Sequence, residues 1–225
     1  MSVAGSPTLP ITSNPRQRDE KMDFDFNTTE RAIRSKLLSS TIVPRPIAWV
    51  VSMNSEGQPN AAPFSFFNLI CTDPPLVCVS VTRRGEGRIK DTGENIRATG
   101  EFVVNLVSYD KRDAMNICGT DFPPQVNELE RAGLDSIASS QIAPPRIAGC
   151  PASYECKVEQ ILDIGCTLVI GRVVHMHLDD ALILDREKMY VDTPRMDLIA
   201  RMHGRGWYAR TTDLFEMPRI PLDES

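Results

Sequence analysis

The stretch Val43-Pro44-Arg45-Pro46-Ile47-Ala48-Trp49-Val50-Val51-Ser52-Met53-Asn54-Ser55-Glu56-Gly57-Gln58-Pro59-Asn60-Ala61-Ala62-Pro63-Phe64 decides the fold class. Pro44 and Pro46 forbid a helix, so the apolar run behind them is extended. Residues 47–53 are rich in β-formers, with Trp49, Val50 and Val51 at the centre. Asn54-Ser55-Glu56-Gly57 is a turn signal, and a second extended segment follows from Asn60. The two runs lie too close for a helical crossover, which makes them an antiparallel hairpin.

Outward from this hairpin the chain keeps the same character. A helix is expected over 28–38, opened by Asn27 with Glu30 three residues on. Asp73-Pro74-Pro75 breaks the chain before a strand over 76–82. A helix over 89–99 is closed by Gly100, and a strand follows over 102–107. Short helices are expected over 110–118 and 125–132, the second stopped at Gly133. Two long strands over 152–162 and 167–178 turn near Asp163-Ile164-Gly165, and a short helix over 197–202 precedes a strand near Trp207. Strands outnumber helices. The predicted class is therefore mainly β, an antiparallel sheet or barrel with peripheral helices, not a doubly wound parallel sheet.

The chain has 225 residues, enough for one domain with a substantial core. Its net charge of -5 and lack of a basic cluster argue against nucleic acid as partner. No segment approaches the roughly 18 uninterrupted apolar residues of a membrane helix. Pro7, Pro10 and Pro15 among Ser, Thr and Asn give an expected disordered extension over 1–21. It lacks the apolar stretch of a secretory signal, although Arg16 and Arg18 leave a transit peptide open. Cysteines stand at 71, 78, 118, 150, 156 and 166, without a C-x-x-C pair or zinc spacing. They read as reduced, buried thiols of a cytoplasmic protein.

Common nucleotide motifs are absent: Gly85-Glu86-Gly87 continues as Arg88-Ile89-Lys90, not as a dinucleotide fingerprint. Two segments carry more chemistry. In Asn60-Ala61-Ala62-Pro63-Phe64-Ser65-Phe66-Phe67-Asn68, small residues beside a proline let a flat ring approach the backbone, whose polar groups read its edge. The same segment also reads as a buried strand with a turn. Arg83, Lys90-Asp91-Thr92 and Asn95 gather positive charge and hydroxyls at a helix start, as a phosphate requires, or form an ordinary solvated helix start. His175 and His177 lie two apart on one strand and share a face. They could hold a metal, though no third ligand is evident, or be surface or interface histidines.

Taken together and in order, these segments resemble the flavin-reductase-like family of FMN-binding split barrels. The resemblance extends through Met22-Asp23-Phe24-Asp25-Phe26, Val43-Pro44-Arg45-Pro46-Ile47-Ala48-Trp49-Val50 and Gly100-Glu101-Phe102-Val103-Val104-Asn105-Leu106. It continues through Gly171-Arg172-Val173-Val174, Arg201-Met202-His203-Gly204 and Tyr208-Ala209-Arg210. It spans residues 22–219 as one domain and leaves a tail over 220–225. His203 departs from the glycine common at that position.

The resemblance implies a split β-barrel that binds FMN, takes NADH or NADPH as co-substrate and forms a homodimer. Ala61, Ala62, Pro63, Phe64 and Ser65 would line the ring edge. Arg83, Lys90 and Thr92 would hold the phosphate. Asn68 would lie near the ring or ribityl chain, and Arg201 or Tyr208 would serve either subunit's flavin. His177 is the candidate for contacting nicotinamide or substrate. In such chemistry the cofactor carries the hydride and the protein supplies position and charge, so no catalytic triad is needed. The implied activity is NAD(P)H-dependent flavin reduction, with a separate monooxygenase component as a possible recipient. The alternatives are a flavoprotein that reduces another substrate or carries electrons, and a non-enzymatic binding protein of the same fold.

Overall fold

The computed structural model describes residues 21–83, 85–123 and 125–220. Apart from Lys21 and Ile220, the expected N-terminal extension and C-terminal tail lie outside the described residues. Helix α1 (Arg31–Thr41) leads into a short strand β1 (Arg45–Pro46). The hairpin follows as β2 (Ala48–Met53) and β3 (Pro59–Phe64), then β4 (Phe67–Thr72) and β5 (Pro75–Val81). Next come α2 (Asp91–Thr99), β6 (Glu101–Asn105), α3 (Arg112–Cys118) and α4 (Glu128–Arg131). After the small pair β7 (Ser136–Ile137) and β8 (Arg146–Ile147), the long strands are β9 (Ala152–Asp163) and β10 (Thr167–Leu178). A second small pair, β11 (Ile183–Asp185) and β12 (Tyr190–Val191), precedes β13 (Ile199–Arg201) and β14 (Tyr208–Arg210).

The hairpin forms as the sequence predicts, and its turn shows why. Asn54 Oδ1 accepts the N–H groups of Glu56 and Gln58 at 3.0 and 2.9 Å, while Gly57 takes a φ of 83°. Seven strands make one antiparallel sheet in the order β3-β2-β6-β9-β10-β5-β4. The two edge strands, β3 and β4, are joined only by Ser65 and Phe66, so the sheet must curl until its edges approach. The Phe66 carbonyl accepts the Ser80 N–H at 2.8 Å, fastening that link to β5.

Alternation along β2 sends side chains into two cores. Ala48 and Val50 join Phe64, Val79, Val81, Phe102, Val104 and Val169 on one face. Trp49 and Val51 join Ile47, Val103, Met115, Leu129 and Ile199 on the other. Both faces of this strand are covered, so β2 is buried along nearly its whole length. Asn105 is fully buried at the seam, giving Nδ2 to the Trp49 carbonyl and accepting from Ile147 N–H and Ser153 Oγ.

Two local expectations are corrected. The first helix begins at Arg31, not near 28, because Asp25 holds the preceding residues in a turn of its own. Its Oδ1 accepts both N–H and Nδ2 of Asn27, and its carbonyl accepts from Thr28 and Thr29. The segment expected as a helix over 197–202 is strand β13, paired with β1 on one side and β14 on the other. Hydrogen bonds to two neighbours outweigh the single turn such a short helix would provide. Arg210 secures the entry to β13 through two 2.7 Å bonds to Asp197.

Helix α4 is tied to β3 by a buried carboxylate. Glu128 accepts from Asn60 Nδ2 at 2.7 Å and from the Ala61 N–H at 3.1 Å. Asn60 Oδ1 in turn accepts the Thr92 hydroxyl at 2.7 Å, carrying the chain of bonds to the start of α2. Burial pushes the Glu128 carboxyl above its ordinary 4.5, against the opposing effect of the two N–H donors.

Two stability measurements follow from this packing. A Cβ added at Gly171 would lie 2.4 Å from Cζ and 2.9 Å from Cε1 of the fully buried Phe102. Gly171→Ala should therefore cost about 1–3 kcal/mol, read as a lower urea midpoint. For Glu128, the folded state binds the proton more tightly than the unfolded chain. Its contribution is complete below the unfolded value and falls as pH rises through the folded one. The stability of the wild type relative to Glu128→Gln should decline as pH rises above 4.5, measured by denaturant unfolding across that range.

Candidate functional site

Three cavities adjoin in series, the first two along β3 and the third beyond the start of α2, and neighbours share their walls. The first, about 450 Å³, is bordered by Arg45, Pro63, Phe64, Ser65, Arg201 and Tyr208. It meets a narrow second cavity of about 40 Å³ at Pro63 and Gly119, and there Asn60, Ala62, Lys90, Thr92 and Cys118 form the lining. Lys90 and Asp121 are shared with a third, of about 570 Å³, bordered by Arg83, Gly85 and Arg88. The result is a trough with a constriction near its middle. Gly119 stands at that neck: an added Cβ would lie 3.2 Å from the Asn116 carbonyl and 3.5 Å from Pro63 Cγ, so a side chain here would crowd the passage.

The far end of the narrow cavity is built by the start of α2. Lys90 is its N-cap, its carbonyl accepting the Gly93 and Glu94 N–H groups at 2.8 and 3.1 Å. The helix dipole adds positive potential at this end. Lys90 Nζ lies 6.0 Å from the centroid of the Phe64 ring and, among the described residues, has no carboxylate partner. Arg83 is held differently. It donates to the Gly87 carbonyl at 3.1 Å and to Asp163 at 3.2 Å, while Arg97 holds the same carboxylate at 2.7 Å. The Arg97 hydrogen bond first, then Thr167 and the charges of Arg97 and Arg83, keep the Asp163 carboxyl below its ordinary range.

Thr92 is almost fully buried, and its hydroxyl proton goes to Asn60. Because Asn60 Nδ2 is fixed on Glu128, Asn60 Oδ1 has to be the acceptor in that bond. Thr92 therefore faces the trough with lone pairs and a backbone N–H, not with a free hydroxyl proton.

The residues singled out in the sequence divide into two groups. Ala62, Pro63, Phe64, Ser65, Arg83, Lys90, Thr92, Arg201 and Tyr208 all border the trough. Arg201 donates to the Tyr208 hydroxyl at 2.6 Å, so these two act as one unit. The remaining three lie elsewhere. Ala61 is buried with its N–H spent on Glu128. Asn68 is exposed on β4, its Oδ1 accepting from Leu69 N–H, and borders none of the three cavities. His177 sits on β10, 2.6 Å from the fully buried Glu155, with the His175 ring 4.7 Å away and tilted by 52°, and also borders none of them.

Sequence reading missed Arg45, Asn60, Gly119, Glu128 and Arg205 as members of the site. Arg45 carried a signal: a lone charge between two prolines at the entry to an apolar strand. Glu128 carried none, since its partner is 68 residues away.

The groups present fit an elongated ligand with a flat, apolar body and a terminal anion. The proline and small side chains suit a ring, the glycine neck admits it, and the cationic helix start suits a phosphate.

Comparison with known proteins agrees with this geometry. Residues 39–193 match the flavin reductase like domain. Nitrilotriacetate monooxygenase component B from Bacillus cereus is 34% identical with a TM-score of 0.83, covering 89% of this chain and 100% of that one. The Pseudomonas fluorescens 2-nitrobenzoate 2-nitroreductase NbaA is 35% identical with a TM-score of 0.80, covering 90% and 98%. A Shewanella frigidimarina protein with a split barrel domain is 21% identical at a TM-score of 0.75 over 89% and 100%, a likeness of fold. A curled antiparallel sheet, a trough with a cationic helix start at one end and a family match over most of the chain lead to one conclusion: the protein belongs to the flavin reductase like family, as a flavin-related oxidoreductase of split-barrel fold.

Proposed function

We propose that the trough binds FMN and that the protein uses it to pass electrons from NADH or NADPH to an acceptor, free flavin being the first candidate. The observation that carries this reading is the polarity of the trough: a small-residue wall and glycine neck in its middle, and Lys90 at the α2 start with no carboxylate partner among the described residues. Ala62, Pro63, Phe64 and Ser65 would border the ring, and Lys90, Arg83 and the positive N-terminal end of α2 would hold the phosphate. When bound, FMN supplies a carrier that accepts a hydride from nicotinamide and releases electrons onward. The chain's own work is to position it and to supply positive charge. Tyr208 and Arg201, locked to each other, would fix the far wall of the ring cavity.

Two assembly proposals accompany this. Phe66, Leu69 and Ile70 are exposed on the β4 edge, and α1 buries none of its residues. These unpaired apolar surfaces support a homodimer, which light scattering would report as twice the chain mass of 25.1 kDa. The similarity to a monooxygenase component B supports delivery of reduced flavin to a separate monooxygenase. A second reading, a retained flavin serving reduction of another compound, is favoured by the likeness to a 2-nitrobenzoate 2-nitroreductase.

The visible spectrum of freshly purified protein separates the readings. A yellow protein with slow nicotinamide oxidation favours the retained cofactor, and fast oxidation of NADH or NADPH that requires added FMN favours flavin as substrate. Protein that stays colourless with FMN, and does not accelerate nicotinamide oxidation, would refute both. Lys90→Ala should weaken FMN by about 1.5–3 kcal/mol and riboflavin far less, because only FMN carries the phosphate. Equal weakening in fluorescence titrations would move Lys90 out of the phosphate site.

A further inference from the structure

The far end of the trough holds a cluster of positive charge that one FMN does not account for. Arg45, Arg201 and Arg205 all border the 450 Å³ cavity, and among the described residues its walls contain no Asp or Glu. Arg45 and Arg201 stand directly opposite each other across the β1–β13 pair. Like charges in that relation repel. Arg45 is also buried, at 8% exposure. Its terminal nitrogens donate only to backbone carbonyls, those of Ser39, Ile42 and Met202, and its Nε is buried with no partner. Burial, and then the charge of Arg201, pull this guanidinium below its ordinary value.

Arg201 gives its protons to Tyr208 Oη and the Gly204 carbonyl, at 2.6 and 3.0 Å. Arg205 is exposed, and among the described residues none of the three guanidinium groups has a carboxylate partner. Several other arginines are paired, Arg97 with Asp163, Arg172 with Glu159 and Arg210 with Asp197, while Arg34, Arg146 and Arg195 donate to single backbone carbonyls and do not cluster. A buried charge without a counter-ion is costly, so Arg45, with a second guanidinium opposite it and no carboxylate beside it, favours an anion in the cavity it borders.

FMN has a single phosphate, and on the reading above it lies at Lys90, beyond the Gly119 neck. None of the three arginines borders the cavities there. We infer that the Arg45–Arg201–Arg205 end is an anion-binding subsite for the second reactant, recognising a carboxylate or phosphate group on the compound that meets the flavin. The inference rests on the FMN reading only for which end the cofactor phosphate takes. Arg201 and Arg205 make the contact, with planar forks suited to either oxyanion. Arg45 acts from behind as a fixed positive charge.

Calorimetric titration of flavin-loaded and flavin-free protein with two matched pairs tests this: benzoate against benzamide, and nicotinamide mononucleotide against nicotinamide riboside. The partner carrying the extra anionic group should bind about tenfold tighter than its counterpart in at least one pair, the scale of one charge-assisted contact. A preference for benzoate identifies a carboxylate substrate, and a preference for the mononucleotide identifies the phosphate of the nicotinamide co-substrate. In Arg205→Gln, an exposed position without a side-chain partner among the described residues, the preference should shrink to about twofold, and Arg201→Gln should act in the same direction. No preference in either pair, or one unchanged in both variants, would overturn the subsite. So would a change in oligomeric mass in Arg205→Gln with no change in anion preference, which would assign these arginines to a subunit contact. FMN titration of the same proteins keeps the two readings apart. Wild type that fails to bind FMN refutes the cofactor assignment, while the flavin-free titrations still decide the anion subsite.

Discussion

The shape of this protein is governed by a short tether. β3 and β4 occupy opposite edges of a seven-stranded sheet, yet only Ser65 and Phe66 join them. A flat sheet of that size would hold its edges about 29 Å apart at the usual strand spacing. A two-residue link reaches about 10 Å. The sheet has no option but to curl, and its normal right-handed twist gives the direction in which it does so. One core fills the inside of the curl and the second lies beneath α3 and α4 outside it. The edges come near each other without a β3–β4 ladder, and β3 is left free to form the wall of the trough.

The trough then depends on how β3 is held from behind. The line Glu128–Asn60–Thr92 joins α4, β3 and α2, three elements far apart in sequence, through bonds of 2.7 Å. It orients the Asn60 amide, commits the Thr92 proton and leaves the open end of α2 as the main source of donors. At the other rim, Asp163 at the β9–β10 turn holds both Arg83 and Arg97. Each cationic end is supported by a different device: a helix terminus with a lysine at one, and a pair of opposed arginines in a small sheet at the other.

How much of this was legible in the sequence followed the range of the interactions involved. The 48–64 hairpin, the helix ended by Gly100 and the long β9–β10 pair all rest on local signals: a turn, a left-handed glycine, an uninterrupted run of β-formers. The strand at 199–201 was misread because its reason is two partners, one of them more than 150 residues away. Asn27 and Glu30 have a capping pattern, but Asp25 competes for the same backbone groups and wins. At the site, Lys90, Thr92, Pro63 and Ser65 were found because segment order places them together in the family resemblance. Glu128 and Gly119 were not, since a carboxylate under a strand and a glycine at a constriction mean nothing until the walls are assembled.

The free cysteines give the site a quieter property. Cys118 borders the narrow part of the trough, and burial pushes its thiol up to about 12. Cys150 is pushed up to about 12 as well, and Cys156 higher still. Peroxide and disulfides react with thiolates, not with protonated thiols. An oxidoreductase therefore keeps these three sulfurs in the form least open to oxidation, so oxidative wear would fall on groups nearer the surface, the exposed Met176 and Met189 among them.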